Sequence, residues 1–332
     1  MTVEGVGLLE HLQTPAMVVA RGQVRFANSA AKALLGVHIV GQDVRIAIRD
    51  PKAVAAILSE KGGTAQVSGL STGGSVWQVD CRVLASNERL VSLYDLSERV
   101  SVAKSHADFV ANASHELRTP LANVLGYVET LMNPKAGGDE SVRLRFLDTI
   151  RHEAQRMQSL ISDLMSLSRI EAVKHEVPAD RVDMVALSNE IGGEFRTSAT
   201  VTVKANCEKA VIAGDRGQIG QVLRNLIDNA LKYGKAGGPV EVSIEAASTG
   251  WVLLTVRDEG EGIAPEHLPR VTERFYRADT SRSRAVGGTG LGLSIVKHIV
   301  ERHRGRFDID SRPGTGTTAS MMLPLREEQP AE

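Results

Sequence analysis

Two long stretches near the middle of the chain carry apolar residues in steps of three and four, which is the spacing of an amphipathic helix. These apolar positions are Phe109, Ala113, Leu117, Leu121, Val124, Val128 and Leu131, then Leu147, Ile150, Ala154, Met157, Ile161 and Leu164. Between the two stretches, the segment NPKAGGDE at residues 133–140 is rich in Pro and Gly and predicts a short loop. The pattern therefore indicates an antiparallel helical hairpin over residues 99–172.

A hairpin of two helices cannot bury such an apolar stripe by itself. Pairing two copies of the chain into a four-helix bundle covers the stripe of both. The pattern therefore predicts that residues 99–172 are a dimerisation domain and that the protein is a homodimer.

The segments on either side of the hairpin mix strands and helices. Residues 1–98 contain alternating apolar and polar runs at 75–85 and 89–97, which predict antiparallel strands of a small α+β domain. Residues 178–326 predict helices at 183–199, 218–233 and 293–303, separated by strands, and hence an α/β sandwich with helices on one face of a mixed sheet. A polar tail follows at 327–332. The fold class is a multidomain α+β protein.

The composition excludes several classes of protein. The chain has 332 residues, and its 39 basic and 40 acidic residues lack the basic excess typical of a nucleic-acid binder. Cys81 and Cys207 lie far apart with no nearby partner, which predicts buried reduced thiols. No apolar run approaches the roughly 20 residues of a transmembrane helix, and the first 22 residues do not resemble a signal peptide. We therefore expect no transmembrane segment and a soluble, cytoplasmic protein.

The predicted helix at 218–233 carries polar residues on one face. Asn225, Asn229 and Lys232 follow one another at spacings of four and three. A solvated surface would explain any two of them, but asparagine is a poor helix former, and two in register suggest a function. An amide oxygen suits Mg²⁺, which makes Asn229 a candidate metal ligand, and a lysine suits a phosphate.

A turn after the predicted strand WVLLTVRD carries an acidic residue and two glycines. Gly260 and Gly262 allow a tight turn and a close approach of the backbone to a flat ligand. Asp258 could accept a hydrogen bond from an exocyclic amine such as that of adenine. A plain β-turn would have the same sequence, so this motif is weak by itself.

The segment GGTGLGLSIVK at 287–297 places a glycine-rich backbone before a predicted helix. Backbone N–H groups and the helix N-terminus can bind phosphates there. The residues concerned are Gly288, Thr289, Gly290, Leu291 and Gly292. The spacing is not that of a dinucleotide-binding fold, no strand precedes it, and no Walker A lysine follows. The Arg- and Ser-rich run at 277–284 resembles a mobile lid instead.

These elements together resemble a known family. NLIDNALKYG (which contains Tyr233), DEGEGI, ERFYR and GGTGLGLSIVKHIVERH are similar, in this order, to the nucleotide-binding boxes of bacterial two-component sensor histidine kinases. SHELRTPL resembles their phosphoacceptor box on a helical hairpin. The likeness covers roughly residues 105–325. Residues 1–98 resemble a PAS sensor domain more weakly, through FANSAAKALLG and YDLSE. The layout is most similar to the phosphate-regulon sensor kinases, although we expect no membrane anchor in these residues.

The resemblance implies a role for each motif. His115 would take the γ-phosphoryl group of ATP, with Mg²⁺ as cofactor, and pass it to an aspartate in the receiver domain of a response regulator. Glu116 would orient the imidazole or take its proton, and Thr119 would position water for dephosphorylation of the regulator. Arg274 and Arg277 would face the phosphates. Ala122, Gly126 and Tyr127 would form the surface for the regulator.

One position departs from the family pattern. Thr272 stands where the family usually has phenylalanine, which removes an apolar anchor of the lid. Two alternatives stand beside the kinase. One is an ATPase of the wider superfamily that includes gyrase, without a phosphohistidine, and SHELRTPL on a hairpin argues against it. The other is a scaffold that only binds ATP, which Thr272 keeps open although His115, Asn229 and Asp258 are present.

Overall fold

The structure is a computed structural model of the 332-residue chain. It describes residues 3–71, 73–84, 88–133, 139–173, 176–195, 200–247, 250–278 and 288–326. The chain divides into two compact units, Met1–Val110 and Ala111–Glu332. The division falls inside a helix, and not at the predicted domain boundary after residue 98.

The first unit is a five-stranded antiparallel sheet with short helices. Its strands have the order β2-β1-β5-β4-β3 in the sheet. Along the chain, short helices lie between β2 and β3. The elements are α1 (Val3–Glu10), β1 (Ala16–Ala20), β2 (Gln23–Ala27), α2 (Ser29–Leu35), α3 (Val44–Ala47), α4 (Pro51–Leu58), β3 (Gly63–Ser68), β4 (Val76–Val83) and β5 (Glu88–Asp95). Alternate residues of β4 and β5 are buried, as the sequence pattern predicts for half-buried strands.

Asn28 joins α2, β1 and the segment before β1 in the first unit. Its Oδ1 accepts hydrogen bonds from the backbone of Ala16 at 3.0 Å and of Ala31 at 2.9 Å, so it caps α2 and holds the start of β1. Its Nδ2 donates to the carbonyl of Thr14 at 2.9 Å. The side chain is fully buried, and these bonds offset the cost of burying a polar amide.

The predicted hairpin is formed by α5 (Ser97–Met132) and α6 (Glu140–Ala172). The helix α5 begins well before the first periodic apolar residue, Phe109, and continues through Pro120 without ending. Asp139 caps α6 by accepting hydrogen bonds from the backbone of Ser141 and Val142. Residues 134–138 of the predicted loop lie outside the described residues. We call α5 and α6 the hairpin.

The C-terminal lobe, residues 178–326, contains a mixed sheet of the order β11-β12-β10-β9-β7, in which only the β7–β9 pair is parallel. Its elements are β6 (Arg181–Asp183), α7 (Met184–Phe195), β7 (Val201–Ala205), β8 (Val211–Ala213), α8 (Arg216–Tyr233), β9 (Val240–Ala247), β10 (Trp251–Arg257), α9 (Gly292–Arg302), β11 (Arg306–Arg312) and β12 (Gly316–Pro324). These bounds confirm the predicted sandwich, although α7 is described only to Phe195 and α8 begins two residues early.

The helix α8 presents its apolar face to the interior of the lobe. The buried residues of this face are Ile219, Val222, Leu223, Leu226, Ile227 and Ala230. Asp215 caps the start of α8 by accepting a hydrogen bond from Gln218, and its own backbone N–H donates to Nε2 of His303 at 3.0 Å. The buried His303 lies at the end of α9, so it fixes α8 and α9 to one another.

Two further sequence predictions concern the thiols and the membrane. Cys81 is buried and Cys207 is half-buried, and neither forms a disulfide. The prediction that both thiols are buried is therefore wrong for Cys207. None of the helices in the described part of the chain combines the length and apolar character that a bilayer crossing requires.

Candidate active site

A cavity of about 450 Å³ lies in the C-terminal lobe between α8, the end of β10 and the start of α9. Eleven of the residues that the sequence singled out line it. They are Asn225, Asn229, Lys232, Tyr233, Asp258, Gly262, Arg277, Gly288, Thr289, Gly290 and Gly292. The structure thus brings residues from three separate motifs to one concave site.

Gly260, Leu291 and Arg274 do not line this cavity. A Cβ on Gly260 would lie 2.4 Å from the carbonyl oxygen of Tyr233, so only glycine fits where this turn packs against the end of α8. Leu291 is fully buried just before α9 and belongs to the core. The guanidinium of Arg274 pairs with the carboxylate of Glu171 on the hairpin instead of facing the cavity.

Asp258 is a buried carboxylate at the end of β10, only 7% exposed. Burial raises the pKa of this carboxyl above its usual value, and hydrogen bonds from the backbone of Gly260 and Thr317 partly oppose that rise. The bond from Gly260 N–H to Oδ1 measures 2.8 Å. A buried acceptor at the wall of a cavity can recognise an amine donor on a ligand, which is the geometry that adenine recognition needs.

The polar face of α8 presents amides to the cavity. Asn225 Nδ2 donates to the carbonyl of Gly292 at 3.3 Å, which joins α8 to the start of α9. Asn229 is half-buried, and its amide has no hydrogen-bond partner among the described residues. Lys232 lies one turn further along and pairs with Asp228 at 2.6 Å. The donor set therefore fits a hard cation that Asn229 would bind together with a phosphate.

The glycine-rich segment adopts a conformation that requires glycine. Gly290 has a φ of +73°, and a Cβ there would lie 3.0 Å from the backbone of Phe275. The backbone N–H of Phe275 donates to the carbonyl of Gly290 at 2.8 Å, which holds the ERFYR segment beside the cavity. The helix α9 begins at Gly292, so its N-terminal N–H groups lie at the cavity wall. Such a helix end favours bound phosphate.

The three predicted catalytic residues lie on α5 of the hairpin. His115 is exposed, and the hydroxyl of Thr119 donates to its carbonyl oxygen at 3.4 Å. Glu116 accepts hydrogen bonds from the guanidinium groups of Arg277 at 3.1 Å and Arg156 at 3.4 Å. Because Arg277 also lines the cavity, the carboxylate beside His115 is in direct contact with the cavity wall.

The helix α6 contributes residues to the site that the sequence did not predict. Ser159 and Asp163 line the cavity, and Asp163 Oδ2 accepts a hydrogen bond from the hydroxyl of Thr289 at 2.8 Å. Ser166 donates to Gln221 of α8 at 2.9 Å on the same side of α6. Polar residues on the solvent side of an amphipathic pattern give no signal of such contacts, because the pattern does not show which lobe covers them.

Two further ring side chains at the cavity, Tyr276 and His267, were not predicted from the sequence. The phenol of Tyr276 lies 2.7 Å from Nδ1 of His267, and both side chains line the cavity. The guanidinium of Arg270 lies 4.3 Å from the centre of the Tyr276 ring, a cation–π distance. The ERFYR motif, which contains Tyr276, was the available signal. These contacts stabilise the segment that leads into the predicted lid, of which residues 279–284 lie outside the described residues.

Thr272 borders a second, smaller cavity of about 290 Å³. Leu268, Phe307 and the stem of Lys297 are among its other lining residues. Val271 and Ile309 line both cavities and separate them. Thr272, the position at which the sequence departs from the resembled family, thus lies at the wall of this second cavity.

Two parts of the chain match described protein families. Residues 214–327 match "Histidine kinase-, DNA gyrase B-, and HSP90-like ATPase", and residues 105–173 match "His Kinase A (phospho-acceptor) domain". The first match covers the C-terminal lobe from Gly214 onward, which supplies most of the cavity wall, and the second covers most of the hairpin with His115.

The chain is also similar to known sensor histidine kinases. The chain is 36% identical over 265 residues to the sensor-like histidine kinase SenX3 of Mycolicibacterium smegmatis, covering 77% of this chain and 67% of that protein. It is 38% identical over 246 residues to the phosphate regulon sensor protein PhoR of Pseudomonas aeruginosa, covering 73% of this chain. The chain spans about half the length of PhoR, 55%. Among solved structures, the Acinetobacter baumannii histidine kinase AdeS aligns over 64% of this chain and 98% of its own, with 25% identity and a TM-score of 0.49.

Proposed function

The chain belongs to the two-component sensor histidine kinases, and we propose that it transfers the γ-phosphoryl group of ATP to His115 and then to an aspartate of a response regulator. We also propose that it dephosphorylates that regulator with the help of Thr119. The three predicted segments would act as a PAS-like sensor domain (1–98), a dimerisation and phosphotransfer hairpin (99–172) and a catalytic ATP-binding domain (178–326).

The cavity residues support ATP as the substrate. Asp258 would accept a hydrogen bond from the adenine amine, with Gly262 letting the backbone approach the base. The N–H groups at Gly288–Gly292 would hold the phosphates with Lys232. Asn229 would bind Mg²⁺, which neutralises phosphate charge and holds the reacting group in line when it is present.

The observation that carries the proposal is the 3.1 Å contact between Glu116 and Arg277. It joins the carboxylate beside the acceptor histidine to a cationic residue of the ATP cavity, so one reaction can use both. His115 is exposed, and its imidazole is the nucleophile that forms the new N–P bond while the bond from the γ-phosphorus to the bridging oxygen breaks. Glu116 would orient the ring and take its proton, and Arg277 would stabilise the charge of the transferred group.

The surface of the hairpin near His115 supports the proposed binding of a receiver domain. Ala122 and Gly126 are exposed on α5 below His115, and a Cβ built on Gly126 would meet no atom within 4 Å. Tyr127 packs against Phe146 with ring centroids 5.1 Å apart. This open surface of small residues beside the acceptor would let a receiver domain approach. The first unit supports the PAS-like proposal through its five-stranded antiparallel sheet with helices between β2 and β3.

Labelling with γ-labelled ATP and Mg²⁺ tests the proposal. We expect a protein-bound label that survives base and is lost in acid, as an N–P bond requires. His115→Gln should abolish the label, whereas His152→Gln, a matched change of an exposed histidine on α6, should retain it. Added receiver domain should then take the label from the wild-type protein.

The alternatives give different results in the same experiment. A gyrase-like ATPase would release labelled phosphate without labelling the protein. A scaffold would bind ATP without either product. Label that persists in His115→Gln would move the acceptor to another residue and contradict the assignment.

A further inference from the structure

Asp163 belongs to the hairpin by sequence but to the ATP cavity by position. It lies on α6, and its carboxylate accepts a hydrogen bond from the hydroxyl of Thr289 at 2.8 Å. Thr289 lies between Gly288 and Gly290 in the segment that leads into α9. The hydroxyl that this segment offers to a bound anion is therefore already donated to an anionic group of the protein itself.

The surroundings of Asp163 give its charge little compensation. Burial raises the pKa of the Asp163 carboxyl, and the nearby Asp228 raises it further, while the bond from Thr289 and the charge of Lys232 oppose the rise. Lys232 is itself paired with Asp228 at 2.6 Å, so its positive charge is shared. Among the described residues, Thr289 is the one hydrogen-bond donor to the Asp163 carboxylate, so a second anion in this part of the cavity would meet a weakly compensated charge.

Other contacts hold α6 in this place without reaching into the cavity. Ser166 donates to Gln221 of α8 at 2.9 Å, and Arg302 of α9 donates to the carbonyl of Val173 at 3.2 Å. Neither Ser166 nor Gln221 lines the cavity. The effect of Asp163 on a ligand can therefore be separated from the general attachment of α6 to the C-terminal lobe.

We propose that Asp163 is a specificity-determining residue of the ATP cavity, which competes with nucleotide phosphates for Thr289 and repels them. The inference rests on the proposed ATP site and adds to it a residue supplied by the phosphotransfer hairpin. While α6 stays in place, the cavity accepts the base and sugar of a nucleotide more readily than its phosphates. Mg²⁺ reduces the repulsion by neutralising part of the phosphate charge.

The affinity for a ligand series with increasing phosphate charge tests this proposal. Binding of adenosine, AMP, ADP and a non-hydrolysable ATP analogue to the full chain would be measured by calorimetry, in EDTA and in Mg²⁺. Asp163→Asn keeps the shape of the side chain and removes its charge. In EDTA we expect adenosine affinity to change less than twofold, ADP affinity to rise several-fold and affinity for the ATP analogue to rise roughly tenfold. In Mg²⁺ these gains in affinity should be smaller.

Ser166→Ala is the matched control, because it weakens the attachment of α6 without changing charge in the cavity. It should change the affinity for all four ligands by the same small factor. Asp163→Ala, with thermal unfolding of every variant, checks that the effect does not depend on one substitution or on misfolding.

Four results would overturn the proposal. Equal gains for adenosine and the ATP analogue would show that Asp163 only attaches α6. A loss of affinity in Asp163→Asn that appears only with Mg²⁺ would make Asp163 a metal ligand instead. Unchanged affinities for all four ligands, with the wild type binding nucleotide normally, would remove Asp163 from the site while leaving the proposed function intact. A wild-type protein that binds none of the ligands would refute the ATP site, and this inference with it.

Discussion

Arg277 Nη2 lies 3.1 Å from Oε2 of Glu116, the residue that follows His115. The Arg277 side chain is only 7% exposed and that of Glu116 28%, so water screens this ion pair weakly. Arg156 of α6 approaches the same oxygen at 3.4 Å. Two guanidinium groups therefore share one carboxylate, and one of them also belongs to the ATP cavity.

Glu116→Gln is expected to slow phosphoryl transfer to His115 by roughly 10²–10⁴-fold, the range for loss of a positioned general base. The amide can still hydrogen-bond but cannot take the imidazole proton. Since Glu116 does not line the cavity, nucleotide affinity should change less than threefold. The initial rate of label incorporation and the affinity for a non-hydrolysable ATP analogue would be measured on the same preparations.

Glu129→Gln serves as the control, because Glu129 is an exposed carboxylate further along α5. It should leave the rate of label incorporation unchanged. If Glu116→Gln labels as fast as wild type, the carboxylate beside His115 takes no part in the proton transfer, and its contact with Arg277 is only structural.

Asp258→Asn is expected to stabilise the ligand-free protein at neutral pH while weakening nucleotide binding. Burial raises the pKa of Asp258 in the folded state, so its charged form is less favourable there than in the unfolded chain. The group therefore favours folding at low pH, and this contribution is lost as pH rises through the folded-state pKa. Removing the charge removes that cost at pH 7.

In the same variant the adenine amine would lose its hydrogen bond to a charged acceptor. Such a bond contributes roughly 1.5–3 kcal/mol, so the affinity for nucleotide should fall by about 10- to 150-fold. Thermal unfolding at pH 7 and ATP-analogue titration measure the two effects. Asp310→Asn, an exposed aspartate on β11, should change neither. A variant that is destabilised without ligand and still binds nucleotide normally would contradict both the pKa argument and the adenine contact.

The parts of the site that follow from short local patterns could be predicted. Asn225, Asn229 and Lys232 share a face because helical spacing dictates it, and the turns that need Gly262 and Gly290 have positive φ angles of 73° in the structure. Each of these features depends on a few neighbouring residues. The sequence therefore contains all the information needed to place them.

The contacts between the hairpin and the C-terminal lobe could not be predicted. Arg274 pairs with Glu171 and Thr289 with Asp163, across separations of 103 and 126 residues. Which polar residues meet at such distances depends on how two separately folded surfaces pack, and one sequence carries no pattern for that. For the same reason the sequence predicted Arg274 beside the phosphates, whereas in the structure its guanidinium pairs with Glu171 of α6.

His303 is expected to make the folding of the C-terminal lobe sensitive to mild acid. Burial lowers the pKa of this imidazole below its ordinary value of 6.5, and Nε2 must be unprotonated to accept the hydrogen bond from Asp215. The native state thus binds fewer protons than the unfolded chain. The stabilisation is complete above the unfolded-state pKa and is lost as pH falls through the folded-state pKa.

Chemical denaturation between pH 8 and pH 5 measures this loss. His303→Gln should flatten the dependence of unfolding free energy on pH, because glutamine can accept the same bond and does not titrate in this range. His152→Gln, which changes an exposed histidine, should leave the dependence as in the wild type. An equal slope in His303→Gln and wild type would assign the acid sensitivity to other groups.

The hairpin is expected to join two copies of the chain through its exposed apolar side chains. The large apolar residues exposed on it include Leu121, Leu125, Val128, Met132, Leu144, Leu147, Ile161 and Met165. Fully burying one such side chain is worth roughly 1.5–3 kcal/mol, so covering this surface in a four-helix bundle favours a dimer strongly.

Leu147 and Ile161 are 48% and 49% exposed within one chain, so Leu147→Glu with Ile161→Glu should leave the fold of the single chain intact. In the dimer the same changes would bury two carboxylates per chain without partners. The free-energy cost of burying them exceeds the stabilisation that burial of Leu147 and Ile161 would give. Sedimentation at micromolar concentration should therefore give a dimer for the wild type and for Gln155→Glu, which adds charge at an exposed polar position of α6. The double variant should sediment as a folded monomer. A wild-type monomer, or a double variant that still dimerises, would place the contact between copies elsewhere.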